Sequence, residues 1–120
     1  MNTLKIGKIV VDLPIMQGGM GVAISLSGLA SAVANEGGIG IISAAGIGMT
    51  EPDYVGNYHE ANKRALTKEI RRARSLTKGV IGVNIMMAST DHEELIKLAI
   101  TEKVDLVILG AGLPLRIPGM

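Results

Sequence analysis

The chain has 120 residues, a formal net charge of +1, 48% hydrophobic residues and no cysteine. This length corresponds to one domain at most, and the high apolar content with only 19% charged residues excludes intrinsic disorder. The absence of cysteine excludes disulfides and thiolate metal sites, and two tyrosines as the only aromatic residues leave no stacking platform for single-stranded nucleic acid.

An uncharged stretch from Leu13 to Asn35 is long enough to span a bilayer, but its composition argues against a membrane helix. It contains Pro14, Gln17 and several glycines and serines, so few of its residues are strongly lipophilic. Asp12 interrupts the apolar run that a secretory signal would need. We therefore expect a cytoplasmic protein with no membrane partner.

The first half of the chain alternates short apolar runs with glycine-rich turns. Good helix formers follow the first glycine cluster, with Ser25 or Ser27 as the predicted N-cap and Gly37 as the stop. The predicted elements are a hairpin over 4–11, a strand over 14–17, a helix over 26–35 and a buried strand over 39–43.

A helix is predicted over 58–77, because apolar residues recur at spacings of four and three along one stripe. The inward residues of this stripe are Leu66, Ile70, Ala73 and Leu76. The opposite face is basic, and we interpret it as a solvated outer face rather than a nucleic-acid patch, since the net charge is only +1. Gly79 is predicted to end this helix.

The last third of the chain repeats the pattern of strand, helix and strand. Thr90 and Glu93 match a capping box at the start of the second long helix, which is predicted to end near Glu102. The flanking strands are predicted over 80–86 and 105–109, and the inward helix residues are Leu95, Ile96, Ala99 and Ile100.

The order of elements defines the fold class as α/β, with four parallel strands, three intervening helices and a short N-terminal hairpin. Near-continuous apolar strands are typical of a parallel sheet that is covered on both faces. Two architectures satisfy this pattern: an open doubly wound sheet and the N-terminal half of a (β/α)8 TIM barrel. Length does not separate them.

Ligands of both architectures bind at the carboxyl ends of the strands, so these four segments are the candidate site. They contain glycines, other small residues or an uncharged amide, and no charged side chain or histidine. This composition suits the polar edge of a heterocycle and predicts no metal site. The segments are 17–21, 43–46, 84–86 and 110–112.

Common nucleotide motifs are absent from the chain. None of the three G-x-G segments has the third glycine of the dinucleotide fingerprint, and no phosphate-binding G-x-x-x-x-G-K-[ST] loop occurs. His59 and His92 have no partner constellation in register and are interpreted as surface residues.

Four motifs in order resemble the nitronate monooxygenase family and its close relative, the FMN-dependent enoyl-acyl-carrier-protein reductase. The motifs are Pro-Ile-Met-Gln-Gly-Gly-Met-Gly at 14–21, the run at 34–42, Gly-Val-Asn-Ile-Met at 82–86 and Gly-Ala-Gly-Leu-Pro at 110–114. The resemblance implies a TIM barrel that binds FMN. Residues 1–120 would then be the N-terminal portion of one FMN-binding domain, with the second half absent from this chain.

The same resemblance assigns cofactor-binding residues at two places. The turn after the first strand would lie along the isoalloxazine ring, and an asparagine after the third strand would hydrogen-bond the flavin. These residues are Gln17, Gly18, Gly19, Met20, Gly21 and Asn84. The catalytic histidine and the phosphate-binding turns of the family are expected beyond this chain, so the 120 residues alone are expected to be inactive.

Three functions stay open on these residues. The first is the oxidation of alkyl nitronates by molecular oxygen, and the second is enoyl-thioester reduction by NAD(P)H through FMN. The third is a non-catalytic half-barrel that self-associates through its exposed strand edges. The expected partners are a small-molecule substrate and either the remaining half of the barrel or a second copy.

Overall fold

The computed structural model describes residues 2–119 as an α/β fold with two sheets. Two 3₁₀ turns, Ile47–Thr50 and Ile117–Gly119, accompany the regular elements. The strands and helices in chain order are β1 Leu4–Ile6, β2 Ile9–Val11, α1 Ser27–Asn35, β3 Ile39–Ser43, α2 Tyr54–Leu76, β4 Val80–Met86, α3 His92–Thr101 and β5 Leu106–Gly110.

The main sheet has three parallel strands in the order β3-β4-β5, and β1 and β2 form a separate antiparallel hairpin. The α/β class, the hairpin and these three strands are confirmed. The prediction of four parallel strands is wrong for residues 2–119, because the segment 14–17 makes only a single parallel bridge, between Met16 and Ile39.

The side chain of Gln17 explains why this first strand stops after one bridge. Its Oε1 accepts the N–H of Ile41 at 2.9 Å, and its Nε2 donates to the Ile41 carbonyl at 3.1 Å. The Gln17 amide therefore satisfies both main-chain groups of β3 that a further strand residue would have paired. The backbone is then free to turn away over Gly18 and Gly19.

The core has two layers, one on each face of the parallel sheet. Buried residues of β3 and β4 such as Ile42 and Val83 pack against the helices, whereas Ile39 and Ile41 face Val11 and the hairpin. The hairpin thus covers part of the inner face. Since burying an aliphatic side chain contributes roughly 1.5–3 kcal/mol, both layers stabilise the sheet.

Most of the predicted inward residues are buried, but two are not. Leu76 is 47% exposed because it is the last residue of α2 and no further turn covers it. Ile100 is 50% exposed, since at about 100° per residue it lies near the edge of the arc that Leu95, Ile96 and Ala99 bury.

The predicted helix caps are corrected: Ser25 and Thr90 have other hydrogen-bond partners, and Ser27 is the first helical residue, with a buried hydroxyl that has no partner among the described residues. The N-cap of α1 is Leu26, and the N-cap of α3 is Asp91, with no side-chain capping bond at either helix. Ser25 Oγ instead accepts the N–H of Met20 at 2.8 Å, and Thr90 Oγ1 hydrogen-bonds neighbouring groups of α2. Helix α2 begins at Tyr54, but non-helical backbone angles at Asn57 kink it there, and the continuous helix after this kink begins at 58, as predicted. Its C-cap is Thr77 rather than Gly79.

The outer face of α2 carries ion pairs with acidic residues of neighbouring segments. Lys68 pairs with Glu51 at 2.8 Å, Arg71 pairs with Glu102 at 2.9 Å, and Arg64 pairs with Asp53. The interpretation of this face as exposed and charged agrees with these contacts. In residues 2–119, no helix has both the length and the apolar content that crossing a membrane requires.

These pairs predict an acid-sensitive stability. The Lys68 hydrogen bond lowers the pKa of Glu51, and the Arg64 hydrogen bond lowers the pKa of Asp53. A carboxyl group with a lower pKa in the folded state stabilises the fold above its unfolded pKa of about 4, and this stabilisation is lost as the pH falls through the folded value. We expect the urea midpoint to fall as the pH is lowered from 6 to 3.

The matched variant for this prediction is Lys68→Met, which removes the main cause of the lowered Glu51 pKa but keeps the aliphatic stem. Its urea midpoint should depend less on pH over the same interval. An equal pH dependence in both proteins would contradict the role given to the pair.

Candidate functional site

The candidate site lies at the carboxyl edge of the parallel sheet. Ser43 of β3 is paired in register with Asn84 of β4, and Met86 is paired with Gly110 of β5. Registered residues of parallel neighbours point to the same face, so these side chains line one edge together. Ser43 is buried and Asn84 is half-buried.

The segment Gln17–Gly21, here called the glycine turn, lies directly on this edge. A Cβ atom placed on Gly19 would lie 2.7 Å from the Asn84 Cβ, and one placed on Gly21 would lie 2.9 Å from the Ala45 Cβ. Glycine is required at both positions because any side chain would overlap a neighbour. The structure therefore brings together the two segments that the sequence singled out, although they are more than 60 positions apart.

Two polar side chains hold the glycine turn in place. The Gln17 amide is committed to the main chain of Ile41, as described above, and its Nε2 also lies 2.7 Å from the Gly18 carbonyl. Ser25 Oγ accepts the Met20 N–H at 2.8 Å and donates to the Met20 carbonyl at 3.2 Å. Sequence reasoning missed this role of Ser25, because its partner Met20 lies five positions earlier in the chain and does not fit a helix-capping pattern.

The edge offers uncharged hydrogen-bonding groups to a ligand. Within residues 2–119, the main-chain N–H groups of Gly18 and Gly19 donate to no protein acceptor, and the Asn84 side-chain amide makes no hydrogen bond. A Cβ atom on Gly18 would meet nothing within 4 Å, so this part of the turn faces open space. The arrangement can pair with a flat ligand that carries both donors and acceptors.

The two histidines, His59 and His92, are far from the glycine turn in the sequence, and each lies close to polar groups of other residues. His59 Nε2 is 3.1 Å from Thr90 Oγ1, and its Nδ1 is 3.7 Å from a Glu94 oxygen. His92 Nδ1 is 2.8 Å from the Ser89 carbonyl. Among residues 2–119, no three histidine, aspartate or glutamate side chains gather closely enough to hold a metal ion.

A buried polar contact behind the site was not predicted from the sequence. Asn62 of α2 accepts the Gly48 N–H at 2.8 Å and donates to Asp91 Oδ2 at 2.9 Å. Both side chains are nearly inaccessible, with exposures of 6% and 4%. The only local signal was an uncharged amide in the inward stripe of α2.

The fold is that of an α/β protein with a parallel sheet, and its candidate site lies at the carboxyl ends of the strands. Residues 2–114 match the family model described as nitronate monooxygenase, and the chain belongs to that family. The family assignment made from the four sequence motifs is thereby confirmed.

Two solved structures give the same relationship in three dimensions. FabK from Thermotoga maritima is 38% identical, with a TM-score of 0.67 over 87% of this chain and 29% of that chain. The FabK (M276A) mutant from Thermotoga maritima is 37% identical, with a TM-score of 0.64 over 87% of this chain and 30% of that chain. The chain therefore spans less than a third of the length of these structures.

Proposed function

We propose that the protein is an FMN-dependent oxidoreductase in which the glycine turn and Asn84 form one wall of the flavin site. The observation that carries this proposal is the contact between Gly19 and Asn84 at the carboxyl edge of the sheet. It places a main chain without side chains beside an amide that has free donor and acceptor groups. Membership of the nitronate monooxygenase family supports the same cofactor.

The groups at this edge fit the flavin ring. The pyrimidine edge of an isoalloxazine alternates carbonyl acceptors with an N–H donor, and Asn84 can serve either kind of group. The free N–H groups of Gly18 and Gly19 can donate to the ring, whereas Gln17 acts on Ile41 and positions the turn. FMN, when bound, supplies the electron transfer, and these residues hold and orient its ring.

We propose alkyl nitronates as the substrates and molecular oxygen as the oxidant. The segments at the strand ends contain no charged side chain, so the flavin phosphate and any catalytic base need groups outside them. We therefore expect residues 1–120 alone to bind FMN weakly and to be inactive, and the complete site to include a further portion of barrel.

The runner-up is an enoyl-thioester reductase that uses NAD(P)H and FMN, because the same uncharged wall suits both reactions. The full-length protein loaded with FMN separates them. Oxygen uptake with propionate 3-nitronate and no NAD(P)H oxidation with a crotonyl thioester would support the first function. The reverse result would support the second, and neither activity would reject both.

A third candidate, a self-associating half-barrel without catalysis, rests on the exposed inner face. Leu106 and Ile108 of β5 are only half-buried, and β5 is an edge strand in the described sheet. Sedimentation of the 120-residue chain is expected to show a dimer or a larger species. A folded monomer would reject this candidate.

Replacement of Asn84 by alanine tests the flavin wall directly. We expect FMN to bind roughly two- to tenfold more weakly to the full-length protein, because one hydrogen bond of about 0.5–1.5 kcal/mol is lost. Flavin fluorescence titration measures the change. Asn57→Ala is the control, since Asn57 is exposed and bonds only Asp53 in the described hydrogen bonds. Equal affinities of the two variants would reject the role of Asn84.

A further inference from the structure

Asn62 connects three segments behind the candidate site. It lies on α2, and its side chain bridges the Gly48 N–H of the 3₁₀ turn and the carboxylate of Asp91, the N-cap of α3. A buried carboxylate is costly unless it is hydrogen-bonded. Among the hydrogen bonds of residues 2–119, the Asp91 carboxylate has Asn62 as its side-chain partner. The amide therefore determines how these segments are spaced.

The 3₁₀ turn lies directly against the backbone of α2. A Cβ atom on Gly48 would lie 2.6 Å from the main-chain nitrogen of Asn62, so the two backbones touch without an intervening side chain. Close packing of this kind transmits displacement rather than absorbing it. The 3₁₀ turn therefore depends on α2 both for this backbone contact and for the hydrogen bond from Gly48 to the Asn62 side chain.

The segment that leads into the 3₁₀ turn lies against the glycine turn. Ala45, three residues before Gly48, is the residue whose Cβ and carbonyl a side chain on Gly21 would meet, at 2.9 and 3.1 Å. The Ala44 N–H also donates to the Asn84 carbonyl at 2.9 Å. The Ile47 N–H of the 3₁₀ turn donates to the Ala44 carbonyl at 3.2 Å. Contacts thus link Asp91, Asn62 and the 3₁₀ turn to the segment 44–45, which touches both parts of the proposed flavin wall.

We propose that Asn62 is a positioning residue that holds the segment after β3 beneath the glycine turn. It touches no reacting atom and acts through Gly48 and Ala45. The effect on the glycine turn is a property of this chain, whereas the consequence for FMN rests on the proposed function.

The test compares N62D with the exchanged pair N62D/D91N in the full-length protein at pH 8. N62D places two carboxylates against each other, which repel. In the exchanged pair, Asp at 62 still accepts the Gly48 N–H and Asn at 91 donates to it, so the bridge is restored with the same net charge as the native pair. Ile70→Val, a buried change on the same helix, is the control for general loss of stability.

Hydrogen exchange of the apoprotein, read by mass spectrometry, is the first measurement, and the FMN dissociation constant is the second. In N62D we expect about tenfold faster exchange over residues 17–26 and about tenfold weaker FMN binding. The exchanged pair should return both values towards the native ones, and Ile70→Val should change neither. Circular dichroism checks that every variant is folded.

Each outcome decides between the two claims. Native exchange over 17–26 in N62D, or fast exchange that N62D/D91N does not reverse, overturns the positioning role. Faster and reversible exchange in a native protein that binds no FMN supports the positioning role and rejects the proposed function instead.

Discussion

Replacement of Gly40 by alanine is expected to lower the free energy of unfolding by roughly 3 kcal/mol, because the added methyl group would overlap backbone atoms. The new Cβ would lie 1.9 Å from the Ala30 carbonyl oxygen and 2.6 Å from its carbonyl carbon. These are backbone atoms of α1, so no side-chain rotation relieves the overlap. Either α1 or β3 must move, and both belong to the core.

The control for this prediction is Gly110→Ala, because Gly110 is also a strand glycine but has nothing within 4 Å of the added Cβ. Urea unfolding followed by circular dichroism measures both variants. We expect Gly110→Ala to stay within about 1 kcal/mol of the native protein. A similar small effect at Gly40 would mean that α1 does not lie against β3 at this distance.

Replacement of Gly19 by alanine is expected to weaken FMN binding by at least about tenfold, which corresponds to roughly 1.4 kcal/mol. The added methyl group would lie 2.7 Å from the Asn84 Cβ and 2.9 Å from its Nδ2. The glycine turn must then rise off the sheet edge, and the Asn84 amide must rotate away. Both changes move groups that are proposed to contact the flavin ring away from their native positions.

Gly28→Ala is the control for this prediction. Gly28 lies in α1, outside the glycine turn, and a Cβ atom added there would meet nothing within 4 Å, so we expect native FMN affinity. Fluorescence titration of the two full-length variants gives the comparison. If Gly19→Ala binds FMN as tightly as Gly28→Ala, the glycine turn does not form the flavin wall.

The main elements of the fold could be predicted because their signals are local. The stripe Leu66, Ile70 and Ala73 identified α2, and the run over 80–86, apolar at almost every position, identified β4. Gly37 was predicted as a helix stop, and it has a φ of +96° immediately after Glu36, the C-cap of α1. Each signal is contained within a few turns or one strand, where neighbouring residues determine the conformation.

The errors arose where a side chain finds a partner far along the chain. The Gln17 amide replaces strand pairing at Ile41, 24 positions away, and ends the first strand early. Thr90 bonds Tyr58 and His59 instead of capping α3. The propensity of a residue for a strand or a helix cap does not predict such partners. A hydrogen bond between residues far apart in the sequence depends on the tertiary packing that brings them together.

The sequence by itself determined the family, the α/β class and the strand ends at which a ligand site should lie. It did so because sequence motifs, the periodicity of apolar residues and the positions of glycines depend only on residues that are close together in the chain. Only the tertiary structure decided that Gly19 rests on Asn84, that Gln17 supports the turn from within, and that Asn62 and Asp91 are buried together behind it. These relations depend on distances between segments, which the register of the sheet and the packing of α2 establish.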